Sequence, residues 1–165
     1  MKKSTRTALF LGRFQPFHLG HLWVVKKLSR DYTEVLILVG TRQKKGRNNP
    51  FTYSERNQMI KAALRKLKIK NCQLIGIPDT KSDAVWMRKF RKAVPNNSIM
   101  FSGNNDMLVL FRKHKFPIRK VDIYRGISGT KVRRIITRNG NWKKYVDKMV
   151  AEFLEQNHLL GKVRK

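Results

Sequence analysis

Residues 7–21 read TALFLGRFQPFHLGH, and this stretch decides the fold. Its first six residues form a compact apolar run that ends in Gly12, which is typical of a buried β-strand. Apolar residues then recur at helical spacing, so a helix is predicted from about Leu19 to Arg30. A strand that leads through a short polar loop into a helix is the repeating unit of proteins built on a parallel sheet.

The rest of the chain repeats this alternation. Further strands are predicted at Val35–Gly40, Gln73–Pro78, Ile99–Phe101 and Val121–Tyr124. Further helices are predicted after a Thr52–Glu55 capping box, after Ser82, and at Met107–His114, Gly129–Arg138 and about Trp142–Asn157. The pattern predicts an α/β fold, an open parallel sheet with helices on both faces. We expect one domain over residues 1–165, with a core at about 7–150 and a C-terminal helix and basic tail at 142–165.

Composition narrows the class of protein. The 165 residues carry 38 Lys and Arg against 10 Asp and Glu, a net charge of +28, while 41% of them are hydrophobic. Such a chain can build a core, and its charge favours anionic partners such as nucleotides, with non-specific contact to nucleic acid. Apolar runs such as Val35–Val39 are far shorter than the roughly 18 residues that span a membrane, so no membrane contact is expected. The single Cys72 allows no internal disulfide, which favours the cytoplasm.

The loop after the first predicted strand has the residues of a phosphate site. His18 and His21 are three positions apart at a helix start, so both imidazoles fall on one face of the first turn. Unpaired N–H groups and the positive end of the helix dipole lie there too. Gly20 would let an anion approach the backbone, and Arg13 adds a cation. The alternatives are a pair of surface residues or a half-filled metal site, but neither Cys72 nor a nearby Glu offers a third metal ligand at a characteristic spacing.

A second helix start carries similar chemistry. Ser128 or Thr130 can cap the helix that begins near Gly129 and offer hydroxyl and N–H groups to a phosphate. Arg133 lies one turn further on, where its guanidinium can reach back to the same oxygens. By itself this pattern is ordinary helix capping. Together with the histidine loop it predicts two helix N-termini that converge on one polyphosphate.

The two motifs, GRFQPFHLGH at 12–21 and SGTKVR at 128–133, resemble those of the nucleotidylyltransferase superfamily. More narrowly, the chain resembles the archaeal-type nicotinamide mononucleotide (NMN) adenylyltransferases from about Ala8 to Val150. The resemblance implies a Rossmann-like nucleotidylyltransferase fold and the transfer of AMP from ATP to NMN, giving NAD and pyrophosphate. It also implies Mg²⁺ on the ATP phosphates, with no metal bound by the protein alone, and a homo-oligomer.

The resemblance also implies roles for individual residues. His18, His21, Arg13 and Arg133 are the expected catalytic residues, since they would contact the phosphates of ATP. The expected ATP site comprises these four residues with Gly12, Phe14, Gly20, Ser128 and Thr130. The expected NMN site comprises Gly40, Arg47, Asp79, Asp83 and Trp86, with Trp86 stacked on the nicotinamide ring. Asp83 departs from the family pattern, in which Asn is expected, and its carboxylate should disfavour a nicotinic acid ring.

Two alternatives stay open at the level of sequence. The same loop could serve another acceptor, for example phosphopantetheine, a flavin mononucleotide, or an alcohol phosphate that reacts with CTP. A basic RNA-binding or regulatory protein could also keep this fold. From composition alone, Trp86 is more often a core residue than a stacking platform, and only the resemblance reverses that reading.

Overall fold

A computed structural model describes residues 2–43, 45–122 and 124–164. Its five strands are β1 (Ser4–Gly12), β2 (Tyr32–Val39), β3 (Cys72–Gly76), β4 (Ser98–Ser102) and β5 (Ile118–Lys120). Its α-helices are α1 (Leu19–Asp31), α2 (Tyr53–Lys66), α3 (Asp83–Ala93), α4 (Asn105–Lys113), α5 (Gly129–Thr137), α6 (Lys148–Gln156) and α7 (Leu160–Arg164). Short 3-10 turns lie at Tyr124–Gly126 and Lys143–Tyr145.

The five strands form one sheet in the order β3-β2-β1-β4-β5, and every neighbouring pair is parallel. The chain moves outward from β1 to β3 and then returns to the other side of β1, which is the Rossmann-like arrangement. The prediction of an α/β protein with a parallel sheet is confirmed. β1 pairs with a strand on each side, and its residues are buried from Thr7 to Phe10.

The chain folds into two compact units and passes between them several times. The first unit comprises Met1–Gly12, Val25–Arg42 and Asn71–Asp122, and it holds the whole sheet with α3 and α4. The second comprises Arg13–Val24, Gln43–Lys70 and Ile123–Lys165, and it holds α2, α5, α6, α7 and the first turn of α1. Both predicted phosphate-binding motifs, from Arg13 onward, therefore belong to the second unit.

Local signals place several helices as the sequence predicts. Thr52 and Glu55 form a capping box in which each side chain accepts a hydrogen bond from the other residue's backbone N–H. The hydroxyl of Ser82 accepts from the N–H of Val85 and begins α3. These caps satisfy N–H groups that the first turn of a helix leaves without partners.

Two predictions near the C-terminus are wrong. The last strand is Ile118–Lys120 and not Val121–Tyr124, because the backbone of 118–120 pairs with β4. Tyr124 begins a 3-10 turn, and position 123 lies outside the described residues. The helix predicted over about Trp142–Asn157 is interrupted, because Val146 is extended and the carboxylate of Asp147 begins α6 by accepting from the N–H of Met149.

Within residues 2–43, 45–122 and 124–164, no helix is long and apolar enough to cross a membrane.

Candidate active site

The two histidines form a capping box at the start of α1. The N–H of His21 donates to Nδ1 of His18, and the N–H of His18 donates to Nδ1 of His21, each over 3.3 Å. The carbonyl of His18 also accepts the first helical hydrogen bond, from Leu22, at 3.0 Å. The imidazoles thus play the part that Thr52 and Glu55 play in α2. Since both Nδ1 atoms accept, both rings carry their proton on Nε2 and can donate it to an anion.

Burial keeps both imidazoles neutral. His18 is 5% exposed, and desolvation lowers its pKa to about 4. The pKa of His21 is lowered well below its usual value, first by desolvation and then by the charge that His18 would carry. A proton on Nδ1 would also break a capping hydrogen bond. At neutral pH both imidazoles are therefore neutral, and each carries its proton on Nε2.

Aromatic side chains hold the histidine pair in place. The two imidazoles stack with their centroids 3.6 Å apart and their planes at 20°. Phe17 stacks on His21 at 5.6 Å, and the ring of Phe14 meets it edge-on at 4.8 Å. Phe14 and Phe17 are 1% and 0% exposed, and Phe14 adopts a positive φ of 52°. Such left-handed backbone is uncommon outside glycine, and its strain is often stored at functional sites.

Gly20 lies directly against the imidazole of His18. A Cβ added there would lie 3.0 Å from Nδ1 and 3.1 Å from Cε1 of His18, which is too close without a shift of the ring. The space that a side chain at this position would occupy therefore belongs to the imidazole of His18. Gly20 makes room for the histidine capping box.

Arg133 connects the second motif to the first. Its Nη1 donates to the carbonyl of Gln15 over 2.8 Å, although the two residues are 118 positions apart. Its Nη2 donates to Oδ1 of Asn48 and to Oγ1 of Thr130, each over 3.3 Å. Arg133 is 7% exposed. The bond to Thr130 brings the guanidinium back to the first turn of α5.

The electrostatics at Arg133 favour an anion. Its pKa is lowered, first by desolvation and then by the positive charge of Arg13. Arg13 itself is exposed. Two guanidinium groups that repel each other, one of them buried, both gain when a phosphate lies against them.

The start of α5 has the predicted capping chemistry. Ser128 is the N-cap, since its hydroxyl accepts from the N–H of Lys131 over 3.2 Å. Thr130 is exposed and accepts from Arg133, so the cap is Ser128 alone. An alanine at Gly129 would place its Cβ 3.0 Å from the carbonyl oxygen of Gln15 and 3.2 Å from Nη1 of Arg133. The glycine is needed because the guanidinium passes directly over it.

Sequence reasoning missed Gln15, which fastens the histidine loop to the start of α2. Its Nε2 donates to the carbonyl of Phe51 over 2.8 Å, and its Oε1 accepts from the N–H of Phe51 over 2.9 Å. Gln15 is 2% exposed and Phe51 is 0% exposed. The sequence did contain a signal for this role, since Gln15 is a polar residue in the apolar segment Phe14–Phe17.

Arg56 is a second missed residue. It is fully buried, its Nη1 donates to the carbonyl of Arg13 over 2.8 Å, and its Nε donates to the carbonyl of Thr52 over 3.3 Å. The signal was its place on the apolar stripe of α2, four residues before Ile60. The histidine loop is thus held by three sets of hydrogen bonds: from the side chain of Gln15 to Phe51, from Arg56 to the carbonyl of Arg13, and from Arg133 to the carbonyl of Gln15.

Arg47 lies in a tight turn that contacts Arg133 through Asn48. Asn49 donates its N–H to the carbonyl of Gly46 over 2.7 Å, and Asn48 in the same turn accepts from Arg133. The side chain of Arg47 is exposed. The structure thus brings the turn that carries Arg47 to the guanidinium of Arg133.

The other predicted site residues belong to the first unit. Gly12 and Gly40 lie together, because the N–H of Gly40 donates to the carbonyl of Gly12 over 3.0 Å at the ends of β1 and β2. Asp83 is exposed at the first turn of α3, and Asp79 is half-buried.

Trp86 is half-buried and packs against the core of the first unit. Its ring stacks on Phe90 at 5.2 Å and 11° and meets Phe111 edge-on at 6.1 Å. This is the packing role that composition predicts. A half-buried indole held from one side still has a surface on which a planar ring could stack.

Among the residues described, no three or more His, Cys, Asp or Glu side chains are grouped as a metal site requires. Mg²⁺ commonly keeps its waters and binds through substrate phosphates, with few or no protein ligands. The donors around the histidine pair are N–H groups and cations, which bind phosphate oxygens rather than a metal.

Comparison with known proteins agrees with this geometry. Residues 9–135 match the cytidylyltransferase-like family. The chain is 35% identical over 154 residues to a nicotinamide-nucleotide adenylyltransferase of Methanolobus tindarius, covering 92% of this chain and 88% of the relative. It is 33% identical over 154 residues to the protein of the same name from Methanothrix thermoacetophila, covering 92% and 90%.

A solved structure shares the fold. It is a bifunctional NMN adenylyltransferase/ADP ribose pyrophosphatase from Francisella tularensis, complexed with AMP and a manganese ion, with a TM-score of 0.79 and 22% identity. The match covers 98% of this chain, which spans about half (52%) of the Francisella chain.

Proposed function

The chain belongs to the cytidylyltransferase-like family and to its nicotinamide-nucleotide adenylyltransferases, and from this premise we propose that it transfers AMP from ATP to NMN. The products are NAD and pyrophosphate. The observation that carries the proposal is the histidine capping box, whose two Nε2–H donors lie in the same unit as Arg133, Ser128 and Arg13. Neutral donors next to cations suit an ATP triphosphate.

The reaction needs no general base. An oxygen of the NMN phosphate attacks the α-phosphorus of ATP, one P–O bond forms, and the bond from the α-phosphorus to the bridging oxygen of pyrophosphate breaks. The attacking phosphate has a second pKa near 6 and is already ionised at neutral pH. Catalysis then depends on positioning and on stabilisation of the charge that builds on the transferred and leaving phosphates.

Each cationic or N–H group has a distinct part in this mechanism. The Nε2–H groups of His18 and His21 donate hydrogen bonds to phosphate oxygens. Because both imidazoles are neutral, they do not act as acids. Arg133 and Arg13 supply positive charge, and Ser128 and Thr130 present the start of α5 to the same phosphates. Mg²⁺, bound as part of the ATP substrate, would neutralise phosphate charge and would need no carboxylate cage.

We propose that Trp86 and Asp83 contact the nicotinamide of NMN. Gly40, Asp79 and Arg47 are proposed as further NMN-binding residues. The carboxylate of Asp83 can accept from the carboxamide NH₂ but would repel a nicotinate ring. The acceptor preference should therefore be for the amide. We also propose a cytoplasmic homo-oligomer, which at +28 per subunit requires salt or bound anions to limit self-repulsion.

The first test is NAD formation from ATP, Mg²⁺ and NMN, with nicotinic acid mononucleotide as the parallel acceptor. We expect faster reaction with NMN, and Asp83→Asn should raise the relative rate with the acid. No product from either acceptor, in a protein that still binds ATP, would contradict the acceptor assignment and leave the phosphate site standing.

The second test separates the chemistry of His18 from its capping role. His18→Asn keeps an oxygen that can accept from the N–H of His21, because Asn is a good N-cap, but it loses the Nε2–H donor. We expect kcat to fall about 10²-fold to 10³-fold, as when other enzymes lose a transition-state donor. His158→Asn, at an exposed position, is the matched control. Wild-type turnover in a folded His18→Asn protein would overturn the mechanism.

A further inference from the structure

Exposed basic residues of the first unit are concentrated on three elements that pack together. Nine exposed cations lie on α3, on α4, and in the segment that leads into and through β5. We name them the basic surface: Arg88, Lys89, Arg91, Lys92, Arg112, Lys113, Lys115, Arg119 and Lys120. From 84 to 121 the chain holds one acidic residue, Asp106, in the first turn of α4.

Three buried rings bring the elements of this surface together. Phe90 of α3, Phe111 of α4 and Phe116 before β5 pack edge to face, with centroid separations of 5.0, 5.2 and 5.4 Å. Arg91 then spans the two helices, since its guanidinium donates to the carbonyl of His114 and lies 5.4 Å from the centre of the Phe116 ring. The last turns of α3 and α4 are therefore neighbours.

The positive charge of this surface is not compensated. Within the described residues, none of the nine cations forms an ion pair, whereas lysines elsewhere pair with Glu55, Asp147, Glu152 and Glu155. Cations in a last turn interact favourably with a helix dipole, which accounts for Arg91, Lys92, Arg112 and Lys113. Arg88, Lys89 and the cations after α4 lie outside these last turns and do not benefit from the dipole. Their mutual repulsion destabilises the folded protein.

The surface lacks the features that other polyanionic partners need. Phe90, Phe111 and Phe116 are 1%, 0% and 8% exposed, so these three rings cannot stack on the bases of a single strand. Trp86 of α3 is half-buried against Phe90 and is a single platform, whereas single-strand binding uses successive ones. Among the described residues, Val109 is the one large hydrophobic side chain that is strongly exposed, at 65%, which is too little apolar area to enter a lipid surface. What remains is a set of cations suited to repeated phosphates.

We propose that the basic surface binds the phosphate backbone of a nucleic acid duplex without regard to base sequence. Binding draws its free energy from release of the counterions condensed on the duplex, and its affinity falls steeply with salt. The proposal does not depend on the adenylyltransferase activity, since none of the nine residues is assigned to ATP or NMN.

The test compares two variants with equal loss of charge. Arg88→Gln, Lys92→Gln, Lys113→Gln and Lys115→Gln together remove four cations of the basic surface. The control removes four exposed cations from the second unit, with Lys61→Gln, Arg65→Gln, Lys68→Gln and Lys70→Gln. Each set has one arginine, three lysines and one lysine at positive φ, namely Lys115 or Lys68. Circular dichroism and the unfolding temperature establish that both variants are folded.

Affinity for a 20-base-pair DNA duplex of arbitrary sequence is measured by fluorescence anisotropy from low to moderate salt. The wild-type protein and the control variant should bind alike, while the basic-surface variant should bind about tenfold or more weakly at 0.1 M salt. Its slope of log K against log salt should be shallower by about 0.9 for each phosphate that the variant no longer neutralises, or about 3.6 for four.

Several results would overturn the proposal. These are equal weakening of both variants, no binding of the duplex by the wild-type protein at low salt, and tighter binding of a single strand of the same length. Binding to anionic phospholipid vesicles that depends on the basic surface, without duplex binding, would assign the surface to a membrane instead.

Discussion

Replacing Gln15 by leucine tests whether the histidine loop is held by its side-chain amide. The leucine would keep most of the volume but remove both hydrogen bonds to Phe51, of 2.8 and 2.9 Å. Gln15 is 2% exposed and Phe51 is 0% exposed, so water cannot replace either bond. Each buried backbone group left without a partner costs about 1–3 kcal/mol, so the free energy of unfolding should fall by about 2–6 kcal/mol. For a chain of this size even the lower figure lowers Tm by about 4 °C.

Gln58→Leu is the matched control, because it is the same substitution in the same unit. Gln58 is exposed and, among the described residues, donates to the hydroxyl of Ser54 over 3.2 Å, so its loss should change stability by no more than about 0.5 kcal/mol. Gln15→Glu should destabilise the protein at least as much as Gln15→Leu, because it would bury a carboxylate against the carbonyl oxygen of Phe51. Urea unfolding followed by circular dichroism gives all three values.

A Gln15→Leu protein within about 0.5 kcal/mol of the wild type would refute the reasoning, because it would mean that the loop is held without the amide. The expected kinetic consequence is separate. A displaced loop moves the imidazoles, so kcat should fall by more than the folded fraction falls, whereas in Gln58→Leu it should not change.

Three further outcomes are expected. His18 has a pKa of about 4 in the folded protein and about 6.5 in the unfolded chain, so the unfolded chain binds more protons between these pH values. The contribution of His18 to stability is therefore complete above pH 6.5 and falls by about 3 kcal/mol toward pH 4. Urea unfolding at a series of pH values should show a weaker pH dependence in His18→Gln. Gly20→Ala should lower kcat because its Cβ presses on His18, whereas Gly161→Ala, whose Cβ meets nothing within 4 Å, should not; equal kcat in both would refute the steric argument. Nitrogen-15 NMR at pH 7 should find the proton of His18 and His21 on Nε2, and a proton on Nδ1 of either would contradict the capping box.

Much of the fold could be predicted from sequence because its signals are local. The apolar run that forms β1, the capping box of Thr52 and Glu55, and the cap at Ser82 are read within a few residues of one another. The short strand β5 could not be located in this way. Its three residues are two cations and an isoleucine, and they form a strand only because the edge of β4 is there to pair with.

The histidine loop and the start of α5 were also recognisable from sequence, since each has its residues at fixed local spacing. The sequence alone predicted two phosphate-binding groups and placed both at helix starts, which is where they lie, at α1 and α5. Only the tertiary structure decided how they are held, with Arg133 reaching the carbonyl of Gln15, 118 positions away, and Gln15 bound to Phe51. The reason is physical: capping and periodicity depend on neighbours along the chain, whereas a buried polar group takes whichever partner folding brings within about 3 Å of it.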